Sequence, residues 1–497
     1  MTRTQRLFRW IPAALSALSG AVLLGIAALL VFGQPVYQQY YQGRSLLSNL
    51  ILWPFALLGC GALLWLRTRE KRSSQRLWPM RAAFAAALVV QLLVARTCWG
   101  HLGWDAGVVH ATAEAIARGE AWPDPTYFVS CPNNAPITML MVPILWLAVK
   151  IGLGVPYVVL PYVDAVLLNL SAYACHACVR TLTRSTAARG LSLTLSIGWI
   201  ALSPYIVYPY TDVFSILFPV LALYAFLHIR RTGLRWLAVS LLCFFGGAIK
   251  PTVLIFFIAL VLVSLCRFIA AKDFSRDVWK KAAAVCAAIL IGALPGKLFQ
   301  DGATTYLAGS ATPEQQLSMT HYLMLGMNDT TMGGHSVPDV EFTLSFPTLR
   351  EAQSANLRRA WERVASRGLW GNVEFFSIKA YKAYADGSFA SHGSFLEVEL
   401  PRRTDALSVF LRELYNRKGD WMPYCQTLVQ CLWLGVLMLC GLAAIRSRRH
   451  PTVALLALTL LGLTAYLLLF EVWPRYLFLF APFFVILSAM ALDKPLR

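Results

Sequence analysis

The sequence predicts an all-α polytopic membrane protein with about twelve transmembrane helices, and three observations carry that prediction. Hydrophobic residues fill 58% of the 497 positions and charged residues only 14%, giving a mean hydropathy of +0.57. A water-soluble chain of this length cannot hide so much apolar surface. The apolar residues form uninterrupted runs near the ~20 residues that cross ~30 Å of hydrocarbon. The Lys and Arg residues, which give a net charge of +19, gather in the short connections between those runs.

The runs fall at about 10–32, 47–66, 82–99, 156–179, 190–209, 213–229, 236–249, 251–266, 282–298, 426–445, 452–470 and 476–492. A thirteenth run, 135–153, decides on which side everything after it lies. Short loops rich in Lys and Arg stay in the cytoplasm. Arg3, Arg6 and Arg9 place the N-terminus inside, and Arg67, Arg69, Lys71, Arg72, Arg76 and Arg81 return there after two crossings. If 135–153 rests on the outer face as a juxtamembrane or half-inserted helix, four further clusters also fall inside. These are Arg180/Arg184/Arg189, Arg230/Arg231/Arg235, Arg267/Lys272/Arg276/Lys280/Lys281 and Arg446/Arg448/Arg449. If it crosses, all four flip outward.

We therefore expect outer-face juxtamembrane helices and a multi-pass plasma-membrane topology with both termini cytoplasmic. The inner segments then hold 25 of the 44 Lys and Arg but 4 of the 25 Asp and Glu. The excess charge thus reports orientation and contact with anionic lipid, not a nucleic-acid partner. The first apolar run is too long for a signal-peptide core and is expected to remain as an anchor.

This topology divides the chain into N-terminal spans (1–99), a first extracytoplasmic loop with juxtamembrane helices (100–155) and a core bundle (156–299). A mainly helical extracytoplasmic domain (300–423) and the C-terminal spans (424–497) follow. In the first loop, His110, Glu114 and Arg118 form a polar stripe and Val109, Ala113 and Ile116 an apolar one, with Gly119 as a stop, so the segment after Asp105 reads as a short amphipathic helix. No internal repeat of the kind that marks secondary transporters is visible.

Charges beside apolar runs are expensive and therefore functional candidates. Arg96, Asp212, Lys250, Lys297, Glu471 and Arg475 all sit at outer ends of their runs; each reads either as a site group or as a side chain snorkelling to the headgroups. Lys250 stands apart. In "FFGGAIKPTVLIFF", Pro251 biases its predecessor away from helix, and the basic residues on both flanks require two crossings, so the chain is expected to turn at Lys250 beside a polar cavity.

Most of the eleven cysteines lie in apolar runs as small hydrophobes. "CHAC" (Cys175 to Cys178) lacks a second ligand pair and reads as core. Cys98 and Cys131 would share the oxidising face, where pairing is open to them. No cofactor is implied and no divalent-metal site is indicated.

Seven segments in order carry a family resemblance: "LGWDAGVVHATAEAIARGE", "YFVSCPNNAP", "SPYIVYPYTDVFSILFPVLALY", "IKPTVLIFF", "HYLMLGMN" with a following Gly-Gly and Pro-Asp, "KAYKAYADGSF" and "EVWPRYLFLFAPFFVIL". From about residue 80 to the end the chain resembles the GT-C superfamily of polytopic glycosyltransferases, in a bacterial branch similar to protein O-mannosyltransferases and the aminoarabinose transferase of lipid A. Cys131 departs from the Tyr expected before Pro-Asn-Asn. The resemblance implies transfer of a sugar from a polyprenyl-phosphate carrier, with inversion, to an acceptor arriving from outside: an envelope glycan, a lipid or a protein. It implies that Asp105 acts near the acceptor hydroxyl, that Asp212 is a second acidic position with a catalytic role and the next candidate for the base, and that Asn328 contacts substrate.

Elementary chemistry asks for similar parts. An oxocarbenium-like transition state needs a base for the incoming hydroxyl and charge stabilisation for the departing phosphate. Arg475 offers a bidentate fork and Lys250 a point charge, and Glu471 is expected to hold Arg475 by an i,i+4 pair. Tyr127, Asn133 and Asn134 offer hydroxyl and amide groups suited to sugars. Two assignments stay open between chemistry and capping: Asn134 and Asp105 each also read as a helix N-cap. The rival functions are a lipid-linked polysaccharide polymerase or ligase and a polytopic transporter or flippase.

Overall fold

A computed structural model describes residues 3–41, 43–69, 77–124, 126–271, 275–309, 316–391, 404–416 and 419–493. Lys71, Arg72, Arg76 and Lys272 lie outside the described residues. The fold is all-α, with no strand among the described residues. Twelve described helices are long and apolar enough to cross a membrane. That set includes 132–150 and omits the shorter 474–490, whereas the sequence-based set does the reverse.

Helix packing separates the two cases. Leu77–Cys98 and Val159–Leu182 run antiparallel. Phe84 packs on Tyr173 and His176, Gln91 Nε2 donates to Ala165 O at 3.0 Å, and Trp99 lies beside Tyr157. Residues 99 and 157 are therefore on the same face, and Ala135–Lys150 cannot be a lone crossing between them. It packs along the 15-residue helix Trp104–Arg118, which opens beside Tyr208 and ends near Trp122 and Phe128 at that same face.

Conversely, 474–490 runs from Arg475 beside Tyr208 toward Asp493, which accepts from Thr183 Oγ1 at the far face. Its first seven residues are 3₁₀ and its last ten α-helical, which together reach ~29 Å. The tighter winding thus lets a short segment span. Nearly every residue of it is buried in the protein, so it is a central strut and not a lipid-facing helix.

The described basic clusters gather at one face. Arg449 lies over Trp10, Thr181 Oγ1 pairs with His228, and His450 has Arg267 and Asp493 as charged neighbours. A cysteine at Thr232 should stay unlabelled by a membrane-impermeant thiol reagent in intact cells, while one at exposed Ser345 reacts above the background of native thiols. Labelling of Thr232→Cys from outside would invert the topology.

The region 300–423 is not one separate soluble domain. Residues 300–308 continue the 33-residue helix Arg276–Ala308. Tyr381, Tyr384, Ala385 and Phe389 belong to the same hydrophobic core as the spans. Among the described residues, the stretch around Met319–Gly326, Val337–Leu344 and Leu349–Tyr384 as far as Phe375 forms a cap with its own cluster of Met324, Met327, Ala360 and Phe375. The loop 386–390 plugs into the bundle: Asp386 accepts from Tyr41 Oη, Ser388 N, Ser388 Oγ and Ala390 N, and Trp199 Nε1 donates to Gly387 O. Irregular backbone at that depth persists because protein groups satisfy it.

Candidate functional site

The site lies at the face opposite the arginine clusters. Its wall is the run Ser203 to Asp212. Pro204 starts a 3₁₀ turn, and the extended Tyr210 backbone precedes the helix Thr211–His228. Three tyrosines therefore turn inward: Tyr205 stacks on Phe478 at 3.8 Å, Tyr208 packs edge-on against Tyr205, and Tyr210 packs edge-on against Tyr208.

Arg475 enters this aromatic wall as the second residue of the 3₁₀ segment. Its Nη1 donates to Tyr208 Oη at 2.7 Å, and its guanidinium carbon lies 5.2, 5.4 and 5.8 Å from the rings of Trp104, Tyr476 and Tyr210. Aromatic faces attract the cation. No carboxylate lies within 4 Å of it among the described residues, and its Nε is buried without a partner. The expected i,i+4 pair with Glu471 does not form. Residues 471–473 are not helical, and Glu471 instead accepts from Tyr476 Oη at 3.0 Å.

Lys250 sits where predicted, in an extended link (φ −144°, ψ 106°) between Thr232–Ile249 and the 3₁₀ turn Pro251–Val253. It is not a free cation. Lys250 Nζ forms an ion pair with Asp212 Oδ1, and Asp212 is fully buried with its Oδ2 unpartnered. Each of the two thus neutralises the other, which corrects the expectation that Lys250 is free for phosphate and Asp212 free as a base. Breaking one half of a buried pair typically costs about 3–5 kcal/mol, whereas an apolar replacement of both is often neutral. Lys250→Met should therefore sharply lower the thermal midpoint, and Lys250→Met with Asp212→Leu should recover most of the loss. A double variant as unstable as the single one would refute the pairing.

Asp105 lies in the first turn of Trp104–Arg118, whose N-cap is Gly103, so the capping alternative for Asp105 is overturned. Trp104 just before it adopts φ +44°, a left-handed conformation costly for a bulky residue, and its ring covers Arg475. Asp105 is the charged neighbour of the Tyr127 hydroxyl and the Cys131 thiol. Burial first, then Tyr210 and Asp105, push the Tyr127 phenol well above its ordinary range, and burial with Asp105 pushes Cys131 up to about 12. Both remain protonated at neutral pH.

Asn134 does not cap by its side chain. Its Nδ2 donates to Tyr127 Oη at 2.6 Å and its Oδ1 accepts from Tyr210 Oη at 3.0 Å. The amide thus ties the Asp105 side of the site to the tyrosine wall, while Asn133 is exposed. Asn328 is elsewhere and occupied. Its Nδ2 donates to Asp339, which Arg363 grips with both Nη atoms, and its Oδ1 accepts from Thr331 N. It braces the cap, and the substrate contact expected of it is not available. Arg96 is exposed and Lys297 pairs on the surface with Asp301, as snorkelling or solvated groups do. Cys98 and Cys131 are unpaired thiols. Among the described residues no group of three side chains could hold a metal ion.

Several residues were not singled out from sequence. Tyr205, Tyr208 and Tyr210 were visible as "YIVYPY" but had no assigned role. Lys379 donates to Gly326 O at 2.6 Å and Phe470 O at 2.7 Å, clasping the cap to the chain that leads into Arg475. Burial, then Lys382 and Arg367, push it down to about 7. Gly333 (φ +71°) makes room for it, since a Cβ there would meet Lys379 Nζ at 2.7 Å. Asp164 is fully buried in Val159–Leu182 with both carboxyl oxygens unpartnered, and one acid inside a long apolar run gives no local signal of its own.

Fold and site together define a polytopic integral membrane protein with a cluster of aromatic and charged side chains at one face. A family model described as "Conserved hypothetical integral membrane protein" matches residues 67–496, and the chain belongs to that family. No curated protein and no solved structure matches the sequence.

Proposed function

We propose that the protein is a membrane glycosyltransferase of the GT-C type that takes a sugar from a polyprenyl-phosphate carrier. The acceptor is an envelope glycan, lipid or protein, and the site lies at the outer face of the plasma membrane with both termini cytoplasmic. The observation that carries this reading is Arg475: a cation ringed by aromatic side chains, without a carboxylate partner, facing the segment that bears Asp105. Such a cation is completed by an anionic ligand, and a phosphate matches its fork.

In this scheme the Asp105 carboxylate takes the proton from the acceptor hydroxyl. The hydroxyl oxygen forms a bond to the anomeric carbon as the carbon–oxygen bond to phosphate breaks. The electron pair leaves on the polyprenyl phosphate, which Arg475 stabilises, and the anomeric centre inverts. Tyr127, Asn134 and Tyr210 position Asp105 against the wall, and the Asp212–Lys250 pair holds the helix ends behind it.

The test is direct. Protein in liposomes, given polyprenyl-monophosphate mannose or arabinose labelled in the sugar, should release polyprenyl phosphate and label an envelope fraction supplied as acceptor. Consumption of a diphosphate-linked glycan alone would favour the ligase. Asp164, an unpartnered carboxyl at membrane depth, favours a second reading as a transporter. Movement of the lipid-linked sugar across the bilayer without bond cleavage would support that one.

A further inference from the structure

Trp104 joins a strained backbone to an open side chain. Its φ of +44° lies in the left-handed region, which a bulky residue keeps only where its surroundings impose it. The neighbouring chain shows what imposes it. Leu102 is buried, and the helix Trp104–Arg118 folds back onto its carbonyl so closely that a Cβ at Gly107 would meet Leu102 O at 2.6 Å. Gly107 N donates to Gly103 O at 3.0 Å and closes the first turn over that contact, so the change of direction falls on Trp104.

The side chain that this backbone holds in place is not tucked into the core. Trp104 is 44% exposed, so much of its indole can be reached from outside. The Arg475 guanidinium carbon lies 5.2 Å from the ring centroid, and the Tyr208 ring lies 6.2 Å away, tilted by 48°. Arg475 also has the rings of Tyr210 and Tyr476 at 5.8 and 5.4 Å. It is therefore surrounded by aromatic faces even without Trp104.

The position of Trp104 gives the open ring its meaning. Asp105 follows it in the chain and, like Arg475, is a charged neighbour of both Tyr208 and Tyr210. In the proposed transfer the incoming hydroxyl is at Asp105 and the departing phosphate at Arg475. The sugar that changes hands must then lie between those two groups, because its anomeric carbon is bonded to one oxygen as it joins the other. Trp104 adjoins both. A sugar ring presents an apolar C–H face that covers an aromatic surface, and its stacking removes apolar area from water. A bare lipid phosphate would leave the indole uncovered.

We infer that Trp104 is the platform on which the donor's sugar ring stacks, and that its indole selects a sugar-bearing lipid phosphate over the bare one. The inference rests on the reading of Arg475 as the donor-phosphate cation. It adds the group that recognises the sugar itself.

The experiment measures equilibrium affinities with the full chain in lipid nanodiscs and without acceptor. The ligands are polyprenyl phosphate, polyprenyl-phosphate mannose and polyprenyl-phosphate arabinose. Wild type should bind at least one sugar-bearing lipid about 10-fold more tightly than polyprenyl phosphate, as one stacked ring provides. Trp104→Gly, which suits the left-handed backbone, should bring that ratio close to one while polyprenyl phosphate still binds within about 3-fold of wild type. Trp104→Phe should keep part of the preference. Thermal midpoints recorded in parallel show that each variant is folded, and if Trp104→Gly is not, Trp104→Leu, apolar but without a flat face, decides in its place.

A preference retained in Trp104→Gly overturns the platform and leaves the donor site standing. So does a wild type that binds all three lipids equally. Tighter binding of polyprenyl phosphate to Trp104→Gly with the ratio unchanged would make the ring a lid over Arg475 and overturn the platform too. If wild type binds none of the three, the donor reading of the site fails first and the platform falls with it.

Discussion

Asp105→Asn is expected to lower the sugar-transfer rate by about 10²- to 10⁴-fold while leaving expression and thermal stability near wild type. The kinetic part follows from the role of a general base: an amide cannot take up the acceptor's proton as a carboxylate does. The stability part follows from the helix start. Gly103 and not Asp105 is the N-cap, so the substitution removes no capping bond and forfeits only the charge–dipole interaction of a first-turn acid, about 0.3–1 kcal/mol. Asn is also close in shape to Asp beside Tyr127 and Cys131. Single-turnover transfer by purified protein, with a thermal midpoint recorded in parallel, checks both halves. Transfer at near wild-type rate would remove the base from this helix and leave Asp212, buried and paired with Lys250, as the nearest remaining carboxylate of the tyrosine wall.

Arg475→Ala is expected to weaken donor binding by roughly 100-fold, about 3 kcal/mol, the scale of charge-assisted hydrogen bonds to one phosphate. Arg475→Lys should recover only part of that. An ammonium keeps the charge but loses the planar fork and the stacking on Trp104 and Tyr476. The ordering Ala worse than Lys, and Lys worse than wild type, separates a fork from a mere field. Direct binding of a polyprenyl-phosphate sugar to the three proteins measures it. Wild-type donor affinity in both variants would return Arg475 to a residue that only packs among rings.

The sequence read the crossings well because a span is a local property: a run of apolar residues of the right length needs no partner to be recognised. The run 476–492 reads as a span for that reason even though the chain there is 3₁₀ over Pro474–Phe480 and α-helical for only ten residues, because the apolar run itself is uninterrupted. The turn at Lys250 was legible for the same local reason, a Lys-Pro pair between two short apolar runs. The corrections concern partners. Glu471 and Arg475 have helical spacing on paper, but Pro474 starts a 3₁₀ turn and leaves Glu471 in extended chain. Asn134 has the composition of a cap and serves as a bridge between two tyrosines 83 positions apart (Tyr127 and Tyr210).

What the sequence determined by itself is the class of the protein: all-helical, membrane-spanning, with basic connections gathered at one face and a loop-borne acid at the other. Hydrophobicity and charge act on each segment independently of its neighbours, so composition and spacing are enough. Only the tertiary structure decided which charges are free. Lys250 and Asp212 are 38 residues apart and cancel each other, Asn328 is taken by Asp339, and Arg475 is left among aromatic rings with no carboxylate within 4 Å among the described residues. Charge pairing is a contact between distant segments, its strength set by distance and burial, and neither quantity exists until the helices have packed.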